Sequence, residues 1–149
     1  AETATVLVSA NVGGDRYAAH GLEALPDRVV DAGPLGALDA LAARCATPWL
    51  LTIPVDLVGV NECLVPSLAA AGGSGAWAQD DDGPQPLVAL WPTARLRDAV
   101  AAMLDAGGGS VQDLQWRLAM PGVRFAGVRY GNLNTPADLA AAGAVPGVP

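Results

Sequence analysis

The stretch that most constrains the fold is residues 48–57, PWLLTIPVDL, in which an apolar run ends in a single carboxylate. A continuous apolar run of this length is typical of a strand buried on both faces, as in a parallel sheet. Pro54 cannot donate to a sheet ladder, so we expect the strand to stop there. Asp56 would then lie just beyond the carboxyl end of the strand, the edge at which open α/β sheets bind ligands.

Asp56 therefore has two interpretations. A carboxylate at that edge can hold a divalent cation beside a phosphate, because Mg²⁺ prefers one or two carboxylates together with phosphate oxygens. The alternative is a structural role, as an Asx-turn or as the N-cap of the following helix. Taken alone, the stretch favours the structural role.

Composition excludes several classes of function. A chain of 149 residues that is 52% hydrophobic and 15% charged is typical of one compact globular domain. A net charge of −7 argues against duplex nucleic acid as a partner. No apolar run is long enough to span a membrane. We therefore expect a domain that acts on neither nucleic acid nor membrane.

Residue types with reactive side chains are scarce. The sequence contains no lysine, which excludes a Walker lysine, a Schiff-base lysine and a lysine general base within these residues. The neighbours of His20, the sole histidine, suggest no catalytic or metal role. Cys45 and Cys63 lack metal-ligand spacing and are interpreted as two buried thiols of a protein in the reducing cytoplasm.

Strand and helix patterns follow one another along the chain. The predicted strands are residues 5–10, 22–26, 48–53, 76–79, 86–91 and 123–128, and the predicted helices are residues 34–45, 61–71, 93–106, 111–118 and 137–142. Strands 76–79 and 86–91 should form a hairpin. This order predicts an α/β three-layer fold.

Two loops contain residue types that could bind a metal or a phosphate, but the surrounding sequence does not favour that role for either loop. The run Asp80, Asp81 and Asp82 lies beside Gly83 and Pro84, a setting more typical of a solvated turn than of a metal site. The loop at residues 107–110, GGGS, could cradle phosphate, but without a following Gly-Lys-Thr the pattern carries little information.

Short motifs carry a resemblance to one family. In chain order they are VSAN at residues 8–11, DAGPLG at 31–36, PVDL at 54–57, PLVALWP at 86–92 and NLNTP at 132–136. In that order and spacing they resemble the molybdenum cofactor guanylyltransferases, the MobA-type enzymes, over residues 5–141.

The resemblance implies a Rossmann-like nucleotidyltransferase domain with a mostly parallel sheet. Such enzymes use GTP and Mg²⁺ to attach GMP to the terminal phosphate of molybdopterin, and they release pyrophosphate. By motif, Asp56 would be the catalytic Mg²⁺ ligand, Asn11 and Asp31 would contact the nucleotide together with Asp56, and Asn132 and Asn134 would bind molybdopterin. The Asn pair flanks the start of the last predicted helix, where anions are favoured. A cytoplasmic location and protein partners from molybdenum cofactor biosynthesis also follow from the resemblance.

Structural alternatives remain open for these residues. The Asn pair could serve loop and cap chemistry, and Asp31 could belong to a turn that starts a helix. The nucleotide could also differ, as in a cytidylyl- or sugar-nucleotidyltransferase, or the domain could be a non-catalytic binding module.

The sequence also departs from the family pattern. The family's first strand and its Gly-rich phosphate loop are not among these residues, Leu57 stands where a proline is expected, and no basic residue lies near Gly109 and Ser110. We therefore expect residues 1–149 to form a single nucleotidyltransferase-like domain without its first strand and phosphate loop. Whether it is a fragment, a divergent binding module or half of a shared site stays open.

Overall fold

The computed structural model describes residues 5–141, and for Leu139 the backbone alone. The strands are β1 (Leu7–Ser9), β2 (Glu23–Leu25), β3 (Trp49–Thr52), β4 (Leu57–Val58), β5 (Ala76–Asp80), β6 (Gly83–Pro92), β7 (Gly122–Arg124) and β8 (Gly131–Asn132). The helices are α1 (Gly14–Ala18), α2 (Pro34–Arg44), α3 (Leu64–Ala70), α4 (Thr93–Asp105), α5 (Val111–Arg117) and α6 (Pro136–Ala141). Within the described range, no helix is long and apolar enough to cross a membrane.

The described chain divides into two compact units. The first contains residues 5–50 and 91–120, and the second contains residues 51–90 and 121–141. The assignment of residues 1–149 to a single nucleotidyltransferase-like domain stays a prediction.

The first unit contains a parallel pair of strands and the two longest described helices, α2 and α4. β1 pairs with β2 in parallel, in a register that places Leu7 opposite Glu23. α2 begins at Pro34, where a missing N–H costs nothing, and α4 buries Leu96 and Val100 as the helical spacing predicts. The guanidinium of Arg97 in α4 donates to the carbonyl of Ala42 at 2.9 Å, which satisfies a carbonyl in the last turn of α2.

The second unit holds most of a four-stranded sheet with the order β3-β6-β5-β7. The predicted hairpin forms as an antiparallel β5–β6 pair, whereas β5 and β7 are parallel, so the sheet is mixed rather than fully parallel. α3 packs Leu64 and Leu68 onto this sheet. The core of the unit comprises Leu64, Leu68, Ala76, Ala78, Val88, Leu90, Phe125 and Tyr130.

The first apolar run forms a strand that is buried on one face, not on both as predicted. β3 is the last strand in the described order of its sheet. Trp49 and Ile53 remain 41% and 40% exposed, while Leu50 and Thr52 are buried. The strand does end before Pro54, as predicted. An edge strand with one covered face alternates in burial, whatever its average hydrophobicity.

The chain after β7 also differs from the sequence prediction. β7 ends at Arg124 and not at residue 128, because Gly127 has a φ of 75° and the Val128 N–H turns back to the carbonyl of Phe125. The predicted loop at 131–136 begins instead with β8, which pairs with β4 in antiparallel register. The predicted last helix is present as α6, but Ala142 lies outside the described residues.

The cysteines are less buried than predicted. Both are free thiols, and Cys45 is half-buried whereas Cys63 is exposed. Each lies at a helix boundary, Cys45 after α2 and Cys63 before α3, where the apolar face of the helix no longer directs a side chain inward. The expectation of two buried thiols was therefore wrong.

Candidate active site

Asp56 lies in the turn that joins β3 to β4. The N–H of Leu57 donates to the carbonyl of Pro54 at 3.2 Å, and the Asp56 carbonyl accepts the N–H of Leu133 at 2.7 Å. The half-buried side chain of Asp56 makes no hydrogen bond or ion pair within residues 5–141. A strand follows Asp56 rather than a helix. In the described structure the carboxylate is therefore neither a helix cap nor an Asx-turn.

Pairing of β4 with β8 brings Asn132 next to Asp56. Leu57 lies opposite Asn132, and Val58 lies opposite Gly131. A Cβ atom on Gly131 would lie 2.9 Å from Cγ2 of Val58, so glycine at this position leaves room for the Val58 side chain. Two candidate residues that are far apart in the sequence thus meet at one end of a short ladder.

The side chains of Asn132 and Asn134 are exposed and make no hydrogen bond within the described residues. The start of α6 is capped by other groups. The hydroxyl of Thr135 accepts the N–H of Asp138 at 3.1 Å, and the Asp138 carboxylate accepts the N–H groups of Thr135 and Asn134 at 2.8 and 3.1 Å. The cap role expected as an alternative for the Asn pair is therefore filled by Thr135 and Asp138.

The same capping overturns one argument from the sequence. Asn132 lies in β8 and not at the helix start, and the carboxylate of Asp138 already occupies the N–H donors that an anion would use. Any ligand of the pair must then be held by the amide side chains rather than by the end of α6.

Asn11 follows β1 and binds a residue that no sequence pattern pointed to. Its Nδ2 donates to the Asp27 carboxylate at 3.0 Å, and its Oδ1 accepts the N–H of Asp27 at 2.7 Å. This pair ties the loop after β2 to the end of β1. An amide offers two N–H donors and two acceptor lone pairs, so one of each remains on Asn11.

Asp31 lies in the loop before α2 with an exposed side chain that has no partner within residues 5–141. Its φ of 59° is in the left-handed region, where glycine is favoured and Asp is tolerated. The backbone of Asp31 is thus that of a turn residue, as the structural alternative expects, while its carboxylate remains free within the described residues. Asn11 and Asp31 belong to the first unit, whereas Asp56 and the Asn pair belong to the second.

The loop at residues 107–110 is not built to cradle phosphate. The N–H and hydroxyl of Ser110 donate to the Asp113 carboxylate at 3.1 and 2.7 Å, and the Asp113 N–H donates back to the Ser110 hydroxyl at 3.0 Å. This capping box caps α5. The hydrogen bonds from Ser110 lower the pKa of Asp113, so the start of α5 already holds a negative charge.

The acidic hairpin turn is a correction to the sequence prediction, because Asp80 is fully buried rather than solvated. One carboxylate oxygen accepts the N–H groups of Asp82 and Gly83 at 2.9 and 3.0 Å, and the other accepts Gln85 Nε2 at 3.2 Å and the Tyr130 N–H at 2.8 Å. Burial alone would raise the pKa of Asp80, but these hydrogen bonds outweigh it and lower the pKa below its usual value.

The strand pattern contained the signal for this burial. Ala76, Ala78 and Asp80 alternate along β5, so Asp80 points to the same covered face as the two alanines. Asp81 and Asp82 face Arg124 and Arg129 at 2.7 and 3.0 Å. Across residues 5–141, no group of three or more His, Cys, Asp or Glu side chains could hold a metal ion.

The match to known families agrees with the resemblance in the motifs. Residues 1–119 match the family model described as the MobA-like NTP transferase domain. The chain belongs to the MobA-like NTP transferase family. A molybdenum cofactor guanylyltransferase from Cupriavidus necator is 32% identical over 145 residues, which cover 90% of this chain and 72% of the relative. One from Pseudomonas aeruginosa is 31% identical and covers 93% and 73% of the two chains.

Solved structures show the same fold. A protein from Aquifex aeolicus VF5 superposes with a TM-score of 0.69 at 12% identity, covering 92% of this chain and 68% of the other. Molybdopterin-guanine dinucleotide biosynthesis protein A from Archaeoglobus fulgidus superposes with a TM-score of 0.63 at 16% identity, covering 91% and 75%. The predicted α/β nucleotidyltransferase fold is thereby confirmed.

Within this MobA-like chain, the donor set at Asp56 suits Mg²⁺ better than a transition metal. Its free carboxylate is a hard oxygen ligand, and among the described residues it belongs to no group of three or more His, Cys, Asp or Glu side chains that could hold a metal. Mg²⁺ is commonly held by one or two carboxylates and completes its shell with water and substrate phosphates. The residues present are therefore compatible with Mg²⁺ bound together with a nucleotide.

Proposed function

We propose that this chain is a domain of a molybdenum cofactor guanylyltransferase, an enzyme that transfers GMP from GTP to the terminal phosphate of molybdopterin and releases pyrophosphate. Membership of the MobA-like family and relatives that are molybdenum cofactor guanylyltransferases support this proposal. The observation that carries it is the free carboxylate of Asp56 beside Asn132 at the end of the β4–β8 ladder. A cytoplasmic location and protein partners from molybdenum cofactor biosynthesis are further predictions.

Asp56 is proposed as the Mg²⁺ ligand and as the residue that brings the nucleotide phosphates to the site. When bound, Mg²⁺ would neutralise charge on the phosphates during transfer. That neutralisation matters here because the chain itself has a net charge of −7. The turn that holds Asp56 is fixed on both sides, by the Pro54–Leu57 hydrogen bond and by the Leu133 N–H, so the carboxylate is presented from a defined position.

Asn132 and Asn134 are proposed to bind molybdopterin. An amide side chain both donates and accepts, which suits the pterin ring edge and phosphate oxygens alike. Their amides are not used elsewhere in the described structure. Since Asn132 pairs with the residue after Asp56, a ligand held by Asn132 lies close to the proposed metal ligand.

Asn11 and Asp31 are proposed as nucleotide contacts. The Asp31 carboxylate accepts hydrogen bonds and is repelled by phosphate, so it suits an N–H or hydroxyl donor of the nucleoside. Asn11 retains one N–H and one lone pair after binding Asp27. Its second role is to hold the loop at the end of β1 in place.

Calorimetric titration with GTP, CTP and ATP, each with and without Mg²⁺, tests the proposal. Tighter binding of GTP that depends on Mg²⁺ supports it. A preference for CTP or ATP would indicate a cytidylyl- or sugar-nucleotidyltransferase relative instead. Absence of binding for all three would indicate a non-catalytic module of the same fold.

A further inference from the structure

We propose that Asp80 is a positioning residue whose buried carboxylate holds the segment before β8 in place and so keeps Asn132 beside Asp56. The role assigned to Asn132 and Asp56 rests on the proposed function. The positioning itself rests on contacts within the second unit alone.

The carboxylate of Asp80 connects two segments that are distant in sequence. One oxygen closes the β5–β6 turn through the N–H groups of Asp82 and Gly83, and the other binds the backbone N–H of Tyr130. A carboxylate with no exposed surface is costly to bury, and it is retained only where hydrogen bonds compensate it. All of its hydrogen bonds come from neutral N–H donors. The Asp80 carboxylate therefore holds these segments in position and does not form an ion pair with any described residue.

Tyr130 transmits this constraint directly to β8. The residue precedes Gly131, which pairs with Val58, and Asn132, which pairs with Leu57. One residue further on, the N–H of Leu133 reaches the carbonyl of Asp56. The hydrogen bond from the Tyr130 N–H to Asp80 therefore fixes the chain immediately before Gly131 and Asn132, the two residues of β8.

The intervening chain has little regular structure of its own. Between the end of β7 and the start of β8, residues 125–130 form a turn with no strand ladder. Its attachments to the hairpin include the Phe125 N–H to the Gln79 carbonyl and the Asp81 N–H to the Val128 carbonyl, both at 2.8 Å. The Asp81 carboxylate also binds Gly127, Asp82 binds Arg129, and the Asp80 carboxylate binds Tyr130. β8 is two residues long, so its register depends strongly on such attachments.

The neighbouring aspartate provides a matched control. Asp82 pairs with Arg129 at 3.0 Å, but the two side chains are 53% and 71% exposed, and exposed pairs contribute little. Asp82→Asn therefore makes the same chemical change on the same turn without removing a buried contact.

Amide hydrogen exchange measured by NMR tests the positioning without any ligand. In Asp80→Asn, one oxygen is replaced by an N–H₂ group, so two of the N–H donors lose their acceptor. We expect the Leu133 N–H to exchange about tenfold faster relative to the Trp77 N–H of β5, because a hydrogen bond to a charged group has been lost. Asp82→Asn should leave this ratio unchanged. An unchanged ratio in Asp80→Asn overturns the proposal.

The variant Asp80→Ser tests the hydrogen bond to Tyr130 separately from the hydrogen bonds within the β5–β6 turn. A serine hydroxyl can still accept an N–H within the turn but is too short to reach Tyr130. It should therefore reproduce the Leu133 effect and retain more stability than Asp80→Asn. Failure of both variants to fold would make Asp80 a general stability residue and would also overturn the proposal.

Molybdopterin affinity links the positioning to function. We expect it to fall in the Asp80 variants by about as much as in Asn132→Ala, roughly tenfold. Leu68→Ala, a core change in the same unit, should spare it at an equal or greater loss of stability. An equal effect in Leu68→Ala would show that Asp80 acts through stability alone. If the parent chain binds no molybdopterin, the proposed function fails, while the exchange ratio still decides the positioning.

Discussion

At the residue scale, Asp56 is the half-buried candidate whose carboxylate has no protein partner in the described structure. Asp56→Asn keeps its shape and removes its charge. We expect Mg²⁺-dependent nucleotide binding to be lost, since a neutral amide is a weak ligand for Mg²⁺. The melting temperature should change little, because no described hydrogen bond is broken. Calorimetry and thermal unfolding measure the two effects.

Asp82→Asn is the control for this change, because Asp82 is an exposed carboxylate outside the proposed site. It should leave nucleotide binding as in the parent. Binding of Mg²⁺-nucleotide by Asp56→Asn at parental affinity would place the metal ligand elsewhere in the chain.

The Asn pair gives a second prediction at this scale. Replacing Asn132 and Asn134 together by Ala should weaken molybdopterin binding more than GTP binding, because their free amides are proposed to face molybdopterin alone. The expected loss of molybdopterin affinity exceeds the roughly tenfold loss expected for Asn132→Ala alone, because two amides are removed. Separate titrations with each ligand measure it. Equal losses for both ligands would mean that the pair is structural.

Asp80 predicts a pH dependence of stability. Its pKa is lowered in the folded chain, so its contribution is present above the unfolded pKa and is lost as pH falls through the folded pKa. At pH 7 we expect Asp80→Asn to lower the free energy of unfolding by about 2 kcal/mol. The difference from the parent should shrink below a pH of about 4, where the unfolded carboxyl protonates.

Urea unfolding of both chains from neutral to acidic pH measures this difference. Asp113 and Asp138 also have lowered pKa values, but they are present in both chains and cancel. A difference that stays constant down to the lowest pH would contradict the assigned charge state of Asp80.

At the element scale, the β4–β8 ladder depends on one close approach. The position of a Cβ on Gly131 is 2.9 Å from Val58 Cγ2, so Gly131→Ala must displace the Val58 side chain or the strand that carries it. We expect a loss of about 1–3 kcal/mol, the usual cost of overpacking. Val58→Ala in the same chain makes room and should restore part of the loss, which a double-mutant cycle by urea unfolding would detect.

Gly73→Ala is the matched control for this experiment. A Cβ on Gly73 would meet no atom within 4 Å, so the substitution should be close to neutral. If Val58→Ala gives no recovery, the cost of Gly131→Ala does not come from the contact between β4 and β8.

At the scale of the whole molecule, the balance of charge predicts a limit on catalysis. The 149 residues contain no lysine and have a net charge of −7. The start of α5, just after the glycine-rich loop, is occupied by the capping box of Ser110 and Asp113, and no other phosphate-binding pattern occurs in the sequence. Mg²⁺ at Asp56 would then be the main positive partner of the triphosphate, and the leaving pyrophosphate would lack preorganised N–H donors.

We therefore predict that these 149 residues by themselves show no guanylylation of molybdopterin with GTP and Mg²⁺. Removing a single preorganised donor costs about 2.7–4 kcal/mol of transition-state stabilisation, and a whole loop supplies several. Adding the family's first strand and Gly-rich loop, fused or in trans, should restore turnover. Clear turnover by the 149 residues alone would show that another part of the chain binds the phosphates.

The sequence by itself determined the features that depend on contiguous residues. Helices α2 and α4 were predictable because apolar residues recur at helical spacing, and their starts at Pro34 and Thr93 carry local signals. Pro54 correctly ended β3 and left Asp56 beyond it. The motifs, read together, indicated the family that the comparisons then confirmed.

Only the tertiary structure decided which distant groups meet. β4 and β8 are each two residues long, too short for a periodic pattern, so nothing in the sequence pairs Leu57 with Asn132. Asp80 alternates with two alanines along β5, so its burial could be read from the strand pattern. The charge pattern of the chain does not show that the N–H groups of Tyr130 and of the turn bind its carboxylate. Periodicity depends on residues that are close in sequence, whereas a buried carboxylate depends on hydrogen-bond donors that folding brings together from distant parts of the sequence.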